Sequence, residues 1–519
     1  MSGKHSSSST ADADADMSPT KRARTAAEVT KKMLVRLTPV EITLFGTIRD
    51  ALDHYKLGTT VRAAGGWVRD KLLGKESKDI DLTVDDMNGV AFARKLQSFA
   101  RQQKHQRCSN VGVIKANPDQ SKHLETATLK LFGIDLDVNS LRTEVYEANS
   151  RIPSITQGTA LDDALRRDFT INSLFYNVNT GDVEDLTCQG LEDLHTRTLR
   201  TPVEPLQTLL DDPLRALRAI RFMGRLRFRF APKLHEAMLN SSTRMHLAEK
   251  VSRERVGIEL HKMFFDEHSD AEECARAIVQ YKFYSPICLR LPAVSPPDLD
   301  KCAQQALDTM ALAAKHFKEP NVSLDIPARR LLLFSSFLSP FADMTYVEKG
   351  KDVPVIRYII MEGLKLPNDL FKRVFHLLSN APQLRMLATA HYRPGRPTAH
   401  HVISIGKLLR QMGPDWRHVF AMCHILYPES ASALRCLKNW IDSSEIKKLH
   451  KWTPLLNGND IKEKFGVTGP QVGELLERQF EWRVLYPLSN VDEVTEFLTR
   501  YVQNNPPVSP GSSCDAMQV

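Results

Sequence analysis

The sequence predicts a mixed α/β (α+β) N-terminal head followed by an all-α remainder. Period-two alternation broken by glycine turns between residues 61 and 138 predicts the strands of a mixed sheet. Beyond about residue 266 apolar residues recur at helical spacing instead. A chain of 519 residues exceeds a single core and should hold roughly two to four packing units. Its 42% hydrophobic and 25% charged residues are ordinary for a globular protein, and the net charge of +8 suits a polyanionic partner. No apolar run approaches 18 residues, so no transmembrane helix is expected. The eight cysteines are scattered without a CxxC pair, which argues for reduced thiols and against a structural zinc.

Residues 1–35 lack the large apolar side chains of a core and are expected to be disordered. Within them, Ser18-Pro19-Thr20-Lys21-Arg22-Ala23-Arg24 has the make-up of a basic nuclear-entry signal, while Asp12, Asp14 and Asp16 argue against a mitochondrial presequence. From Leu37 to Leu57 the four-residue spacing of Val40, Leu44, Ile48 and Leu52 predicts a lead-in helix. Val61, Ala63 and Ala64 then form a short strand entering Gly65-Gly66, where the missing side chains let the backbone approach a bulky anion. Arg69 follows with forked donors suited to phosphate oxygens, and Lys71-Leu72-Leu73-Gly74 closes a short helix. A second strand, Lys78 to Val84, delivers Asp79 and Asp81 to one face, because strand residues two apart project together. Carboxylates so placed suit Mg²⁺, and paired ions roughly 3.5–4 Å apart stabilise both oxygens of an in-line displacement at an α-phosphate. A surface turn with solvated aspartates explains either half alone, but the two together are far rarer. A helix through Phe92–Leu96 comes next, and Glu125 to Val138 alternates as a hairpin turning at Gly133. Asp137 offers a third carboxylate, although Asp135 shares its face and spacing does not rank them.

Arg166-Arg167-Asp168-Phe169-Thr170-Ile171-Asn172-Ser173-Leu174 opens with charge and turns apolar. Arginines there can grip a triphosphate, with Asp168 or Asn172 on ribose hydroxyls; the plainer alternative is a helix start with Asp168 in its first turn. In Asp211-Asp212-Pro213-Leu214-Arg215, Asp212 suits an N-cap and Pro213 the first helical position, with the arginines as a solvated face. The same spacing makes Asp212 and Arg215 helix neighbours, an acceptor beside a donor. Cytosine (N4–H₂ beside N3) and adenine (N6–H₂ beside N1) complement that pair, whereas guanine and uracil present the reverse order. Arg218 and Arg221, at the next three-residue steps, would wind towards the triphosphate or the RNA backbone.

The segments GGWVRD with Asp79-Ile80-Asp81, RRDFTINSL, Glu184-Asp185-Leu186 with Gly190–Leu194 and Leu199-Arg200, DDPLRALRAIRF, and Arg253–Leu260 appear in the order of the class II tRNA nucleotidyltransferases. Over about 60–265 the chain closely resembles these CCA-adding enzymes of the poly(A) polymerase superfamily. Lys122–Thr128 and Arg151-Ile152-Pro153 resemble their eukaryotic, fungal-like branch. One departure is Asp211-Asp212, where many bacterial members carry Glu-Asp. The resemblance implies a template-independent enzyme that builds the 3′-terminal CCA of tRNA from CTP and ATP, with Mg²⁺ on Asp79 and Asp81. It implies Gly65, Gly66 and Arg69 at the nucleotide, Arg167, Asp168 and Asn172 along ribose and triphosphate, and Asp212 and Arg215 as base readers, with Arg218 and Arg221 beyond them. Asp137 would be the third acidic residue, and Arg142–Gly158 a flexible loop linked to switching from C to A. The implied organisation is a head over 36–200, a neck over 201–270 bearing the base-reading helix, a tRNA-binding body and tail over 271–503, and a flexible end over 504–519. A cytoplasmic monomer, with nuclear and mitochondrial pools and no membrane attachment, is expected. A poly(A) polymerase using ATP alone, or a non-catalytic RNA-binding protein on the same fold, are the alternatives.

Beyond residue 266, amphipathic segments fall at Glu273–Tyr281, Cys302–His316, Ala328–Leu338 and Leu370–Leu378. Pro454–Asp460 and Gly469–Leu476 resemble the family's C-terminal part, and Gly469-Pro470 reads either as a phosphate-facing helix start or as a plain one. Lys447-Lys448-Leu449-His450-Lys451-Trp452 is a basic cluster suited to tRNA or to a solvated face.

Overall fold

The computed structural model describes residues 35–77, 79–114, 125–145, 154–288, 298–392 and 397–505. The basic cluster at 18–24, Lys78, residues 122–124 and 151–153, and the end beyond 505 lie outside these. The chain divides into two compact units, one ending at Ile287 and the other beginning at Cys288.

In the first unit α1 (Pro39–His54) starts with a reciprocal cap between Thr38 and Glu41 and buries Leu44, Phe45, Ile48 and Leu52, while Val40 stays 44% exposed. There follow β1 (Val61–Ala64), α2 (Gly66–Leu72), β2 (Asp79–Val84), α3 (Gly89–Gln102), β3 (Gly112–Ile114), β4 (Thr126–Leu131) and β5 (Ile134–Ser140). After them come the ribbon β6 (Arg142–Val145) with β7 (Ser154–Gln157), α4 (Ala160–Leu165), β8 (Phe175–Asn177) and β9 (Val183–Glu184). Seven strands make one mixed sheet in the order β3-β4-β5-β2-β1-β8-β9. Only β2 and β5 pair in parallel; every other neighbouring pair in this sheet is antiparallel. A parallel pair needs a crossover, and α3 supplies it, burying Val90, Phe92, Ala93, Leu96 and Phe99.

The site-bearing helices come next: α5 (Gly190–Thr196), α6 (Pro205–Asp211) and α7 (Leu214–Leu226), then α8 (Pro232–Leu239), α9 (Ser241–Lys250), α10 (Arg253–Phe265) and α11 (Ala271–Gln280). Short β10 (Thr198–Leu199) and β11 (Arg229–Phe230) pair in parallel beside them.

Two local expectations are corrected. The segment after Arg166-Arg167 is not a helix start: α4 ends there, and only a single 3₁₀ turn, Thr170–Asn172, precedes β8. Asp212 does not have the backbone role of N-cap, since it closes α6 in an extended conformation and Pro213 stands immediately before α7. Its side chain still accepts from the Leu214 N–H at 3.3 Å, so one free donor of α7 is met as a cap would meet it.

The second unit is helical: α12 (Leu299–His316), α13 (Ile326–Leu338), α14 (Asn368–His391), α15 (Ala399–Met412), α16 (Trp416–Leu426), α17 (Ala431–Ser443), α18 (Gly458–Phe465), α19 (Pro470–Leu485) and α20 (Val491–Asn504). A small antiparallel hairpin, Thr345–Glu348 with Lys351–Pro354, interrupts it. Expected as Leu370–Leu378, α14 instead runs through Pro382, because buried Val374, Leu377, Leu378, Ala381, Leu384 and Ala388 hold both sides of the proline in one packed face. Gly469 (φ 58°) precedes α19 without a side-chain cap, and the basic cluster forms most of a 3₁₀ segment, Glu445–Lys451. No helix among the described residues is long and apolar enough to cross a membrane.

Candidate active site

The strand pleat sorts β2 by chemistry. Ile80 and Leu82 point into the core, and Asp79 and Asp81 occupy the open face. On β5, Leu136 and Val138 are buried while Asp135 and Asp137 are open. The parallel register sets Asp81 opposite Asp137 and Asp79 opposite Asp135. Asp135 is paired with Lys130 at 3.2 Å, which leaves Asp137 as the third carboxylate not held by a cation.

Protein encloses Asp81 on all but its open side, and this burial pushes its pKa above the usual carboxylate range; Arg167 opposes the shift, and Asp137 and Asp79 add to it. Asp137 is raised likewise, by burial and then by Asp79 and Asp135. Mutually repelling carboxylates of this kind are relieved by a hard cation. Among the described residues no three metal-binding side chains already converge, so a cation here would rest on Asp79 and Asp81 with substrate oxygens completing its shell.

Gly65 turns the chain from β1 into α2 with φ 68°, and its backbone N–H donates to Leu174. A Cβ there would lie 2.7 Å from Arg167 Nη1, so the turn admits this arginine only because it is glycine. A Cβ on Gly66 would meet only Arg69 Nη2, at 3.7 Å, which leaves space above the turn.

Behind the carboxylates lies a floor of paired charges. Arg69 is only 4% exposed; it binds Asp70 at 2.8–2.9 Å, donates to Asn172 Oδ1, and lies 5.1 Å from the Phe222 ring centre. Asn172 in turn donates to Asp168 at 2.8 Å, and Asp168 takes Arg218 at 2.6 Å. Burial alone would raise Asp168, yet Arg218 and Asn172 hold its pKa down to about 2. Arg218 also faces Glu259 of α10 at 3.6 Å, and Glu259 binds Arg221 at 2.5 Å. Asp163 is fully buried and paired with both Arg166 and Arg167, the latter at 2.8 Å; Arg167 also donates to the Asn172 carbonyl at 3.1 Å.

Asp212 and Arg215 do not pair with each other. Asp212 accepts both guanidinium nitrogens of Arg255, at 2.8 and 3.3 Å, and Arg215 donates to the Arg166 carbonyl at 2.6 Å. Sequence reasoning thus brought Arg69, Arg167, Asp168, Asn172, Arg218 and Arg221 to one region, but it missed Asp163 and gave no role to Glu259 and Arg255. The i,i+3 and i,i+4 spacing of Asp163 to Arg166 and Arg167 was a readable signal. Glu259 and Arg255 lie in the family-like segment Arg253–Leu260, but their bonds were not readable because they sit 38 and 43 residues from their partners. The loop stems at Arg142–Val145 and Ser154–Gln157 pair as the β6–β7 ribbon, and the stretch between them lies outside the described residues.

Residues 61–200 match the family model described as the poly A polymerase head domain, which places the sheet and its carboxylates in that class. The chain is 44% identical over 523 residues to the mitochondrial CCA tRNA nucleotidyltransferase of Saccharomyces cerevisiae, spanning 89% of this chain and 93% of that protein. It is 34% identical over 455 residues to tRNA nucleotidyltransferase cca2 of Schizosaccharomyces pombe, with coverages of 84% and 92%. A solved structure of the Thermotoga maritima CCA-adding enzyme complexed with tRNA shares the fold at TM-score 0.58 and 20% identity, covering 92% of this chain and 98% of that one. The chain belongs to the tRNA nucleotidyltransferases.

Proposed function

We propose that this enzyme adds the 3′-terminal CCA to tRNA without a nucleic-acid template, joining CTP and then ATP to the RNA 3′-hydroxyl with release of pyrophosphate. One observation carries the reading: Arg166-Arg167-Asp168 ties the open carboxylates to the base-reading helix. Arg167 acts electrostatically on Asp81, the Arg166 carbonyl holds Arg215, and Asp168 anchors Arg218. Asp79 and Asp81 would hold Mg²⁺, which when bound stabilises the attacking and leaving oxygens of the displacement. Asp137 adds charge on the same open face, opposite Asp81. Gly66 leaves room for a phosphate, and Gly65 seats Arg167 beside it to bind one. The paired Arg69, Asn172, Asp168, Arg218 and Arg221 fix the floor on which Asp212, just ahead of α7, and Arg215, in its first turn, face the base. The mitochondrial relatives support a mitochondrial pool. Cytoplasmic and nuclear pools and a monomeric state belong to the same proposal.

The test uses purified protein, each NTP separately, and tRNA lacking CCA, ending after CC, or ending after CCA. CTP alone on the first, ATP alone on the second and nothing on the third are the expected incorporations. Open-ended A tails would replace this reading with a poly(A) polymerase, and no incorporation would replace it with an RNA-binding protein.

A further inference from the structure

Asp212 stands three residues before Arg215, in extended backbone just ahead of α7, and no ion pair joins the two. Each is held by a third party. On the Asp212 side this is Arg255, whose guanidinium takes both carboxylate oxygens from the first turn of α10; on the Arg215 side it is the Arg166 carbonyl. Were the two to pair, the acceptor and the donor facing the base would be spent on one another. A carboxylate gripped by one guanidinium keeps further lone pairs, so Asp212 can still accept from the exocyclic amino group of cytosine or adenine. The side chains of Asp212 and Arg255 are 16% and 30% exposed, so a base edge can reach them. One turn further along α10, Glu259 binds Arg221 at 2.5 Å and faces Arg218 at 3.6 Å, so one face of α10 holds both the residue ahead of α7 and α7 itself.

We propose that Arg255 is a positioning residue for nucleotide selection, keeping the two base readers apart and open to the base. The proposal rests on the assignment of Asp212 and Arg215 as base readers. Loss of the guanidinium lets Asp212 swing onto Arg215, which blanks the pattern that separates C and A from U and G.

Arg255→Met preserves side-chain length and removes the charge. With tRNA lacking CCA, the ratio of kcat/KM for CTP over UTP is expected to fall about tenfold or more, as is ATP over GTP with tRNA ending in CC. The loss should lie mainly in a raised KM for the correct nucleotide, with kcat changed far less, because the carboxylates of β2 and β5 are untouched. In an Arg215→Ala background, Arg255→Met should add little further loss of selectivity. Unchanged ratios in Arg255→Met, a loss confined to kcat, or full additivity with Arg215→Ala would each overturn the proposal. Arg215→Ala alone separates the two layers: if it keeps full selectivity, the base-reader assignment fails, and if it relaxes selectivity while Arg255→Met does not, only the role of Arg255 fails. Should Arg255→Met not fold, Arg255→Gln is judged by the same ratios.

Discussion

Gly65 concentrates two demands on one atom position. Its φ of 68° penalises any side chain, and the space a methyl would take already holds Arg167 Nη1. Gly65→Ala is therefore expected to cost about 1 kcal/mol in backbone strain, visible as a small fall in Tm. It should cost far more in CTP incorporation, because Arg167 is displaced beside Asp81; an activity loss no larger than the stability loss would argue against that arginine's role. Asp79→Ala should reduce CTP incorporation by orders of magnitude in single-turnover assays, and undiminished incorporation would remove the metal assignment. Asp168→Asn removes one partner of a buried pair and is expected to destabilise the protein by about 3–5 kcal/mol in urea unfolding. The motif residues were legible because they are close in sequence and their spacing carries the chemistry. What they are bonded to was not: Arg69 has the make-up of a phosphate ligand, but its donors go to Asp70 and Asn172.

At the scale of elements, the site depends on two strands lying side by side in parallel with a fixed register. Alternation revealed β2 and β5 individually, and the hairpin at Gly133 was readable from its glycine. That β5 would lie against β2 was not, because strand pairing is set by the crossover helix and the core rather than by either strand. Gly89, the first residue of α3, makes that contact possible, since a Cβ there would lie 2.9 Å from the Val138 carbonyl oxygen. Gly89→Ala should push α3 off β5 at a cost of about 1–3 kcal/mol. It should also lower kcat by moving Asp137 relative to Asp81; unfolding curves together with steady-state kinetics check both, and an unchanged kcat would show that the register is held elsewhere. Helix α14 failed in the opposite direction, for a proline read locally ends a helix and the packed face around Pro382 carries it on.

For the whole molecule, buried titratable groups set the response to acid. In the second unit His424 stacks on His316, with ring centres 5.1 Å apart, and Glu319, Arg435 and Lys438 are the other charged neighbours that act on it. Burial, with a contribution from His316, lowers its pKa to about 4. The unfolded chain, with a histidine pKa near 6.5, therefore binds the proton first, so stability is flat above about pH 6.5 and falls as pH drops towards 4. Asp168 in the first unit, held at about 2, contributes stability that is intact above the ordinary carboxylate pKa near 3.8 and is lost only as pH falls from there to 2. In a Trp67→Phe protein the remaining tryptophans all lie in the second unit, so their fluorescence should report a loss of stability between pH 6.5 and 4 that His424→Gln reduces, the rest coming from His391 and His401, which burial lowers as well. A signal unchanged down to pH 4 would contradict it. The Asp168–Arg218 pair also has a meaning for a chain still on the ribosome. When residue 200 has emerged, every strand of the sheet exists, but the ion-pair partner of Asp168 comes only with Arg218, and that of Asp212 only with Arg255. The carboxylates of β2 and β5 are thus synthesised well before the ion pairs that complete the charged floor behind them.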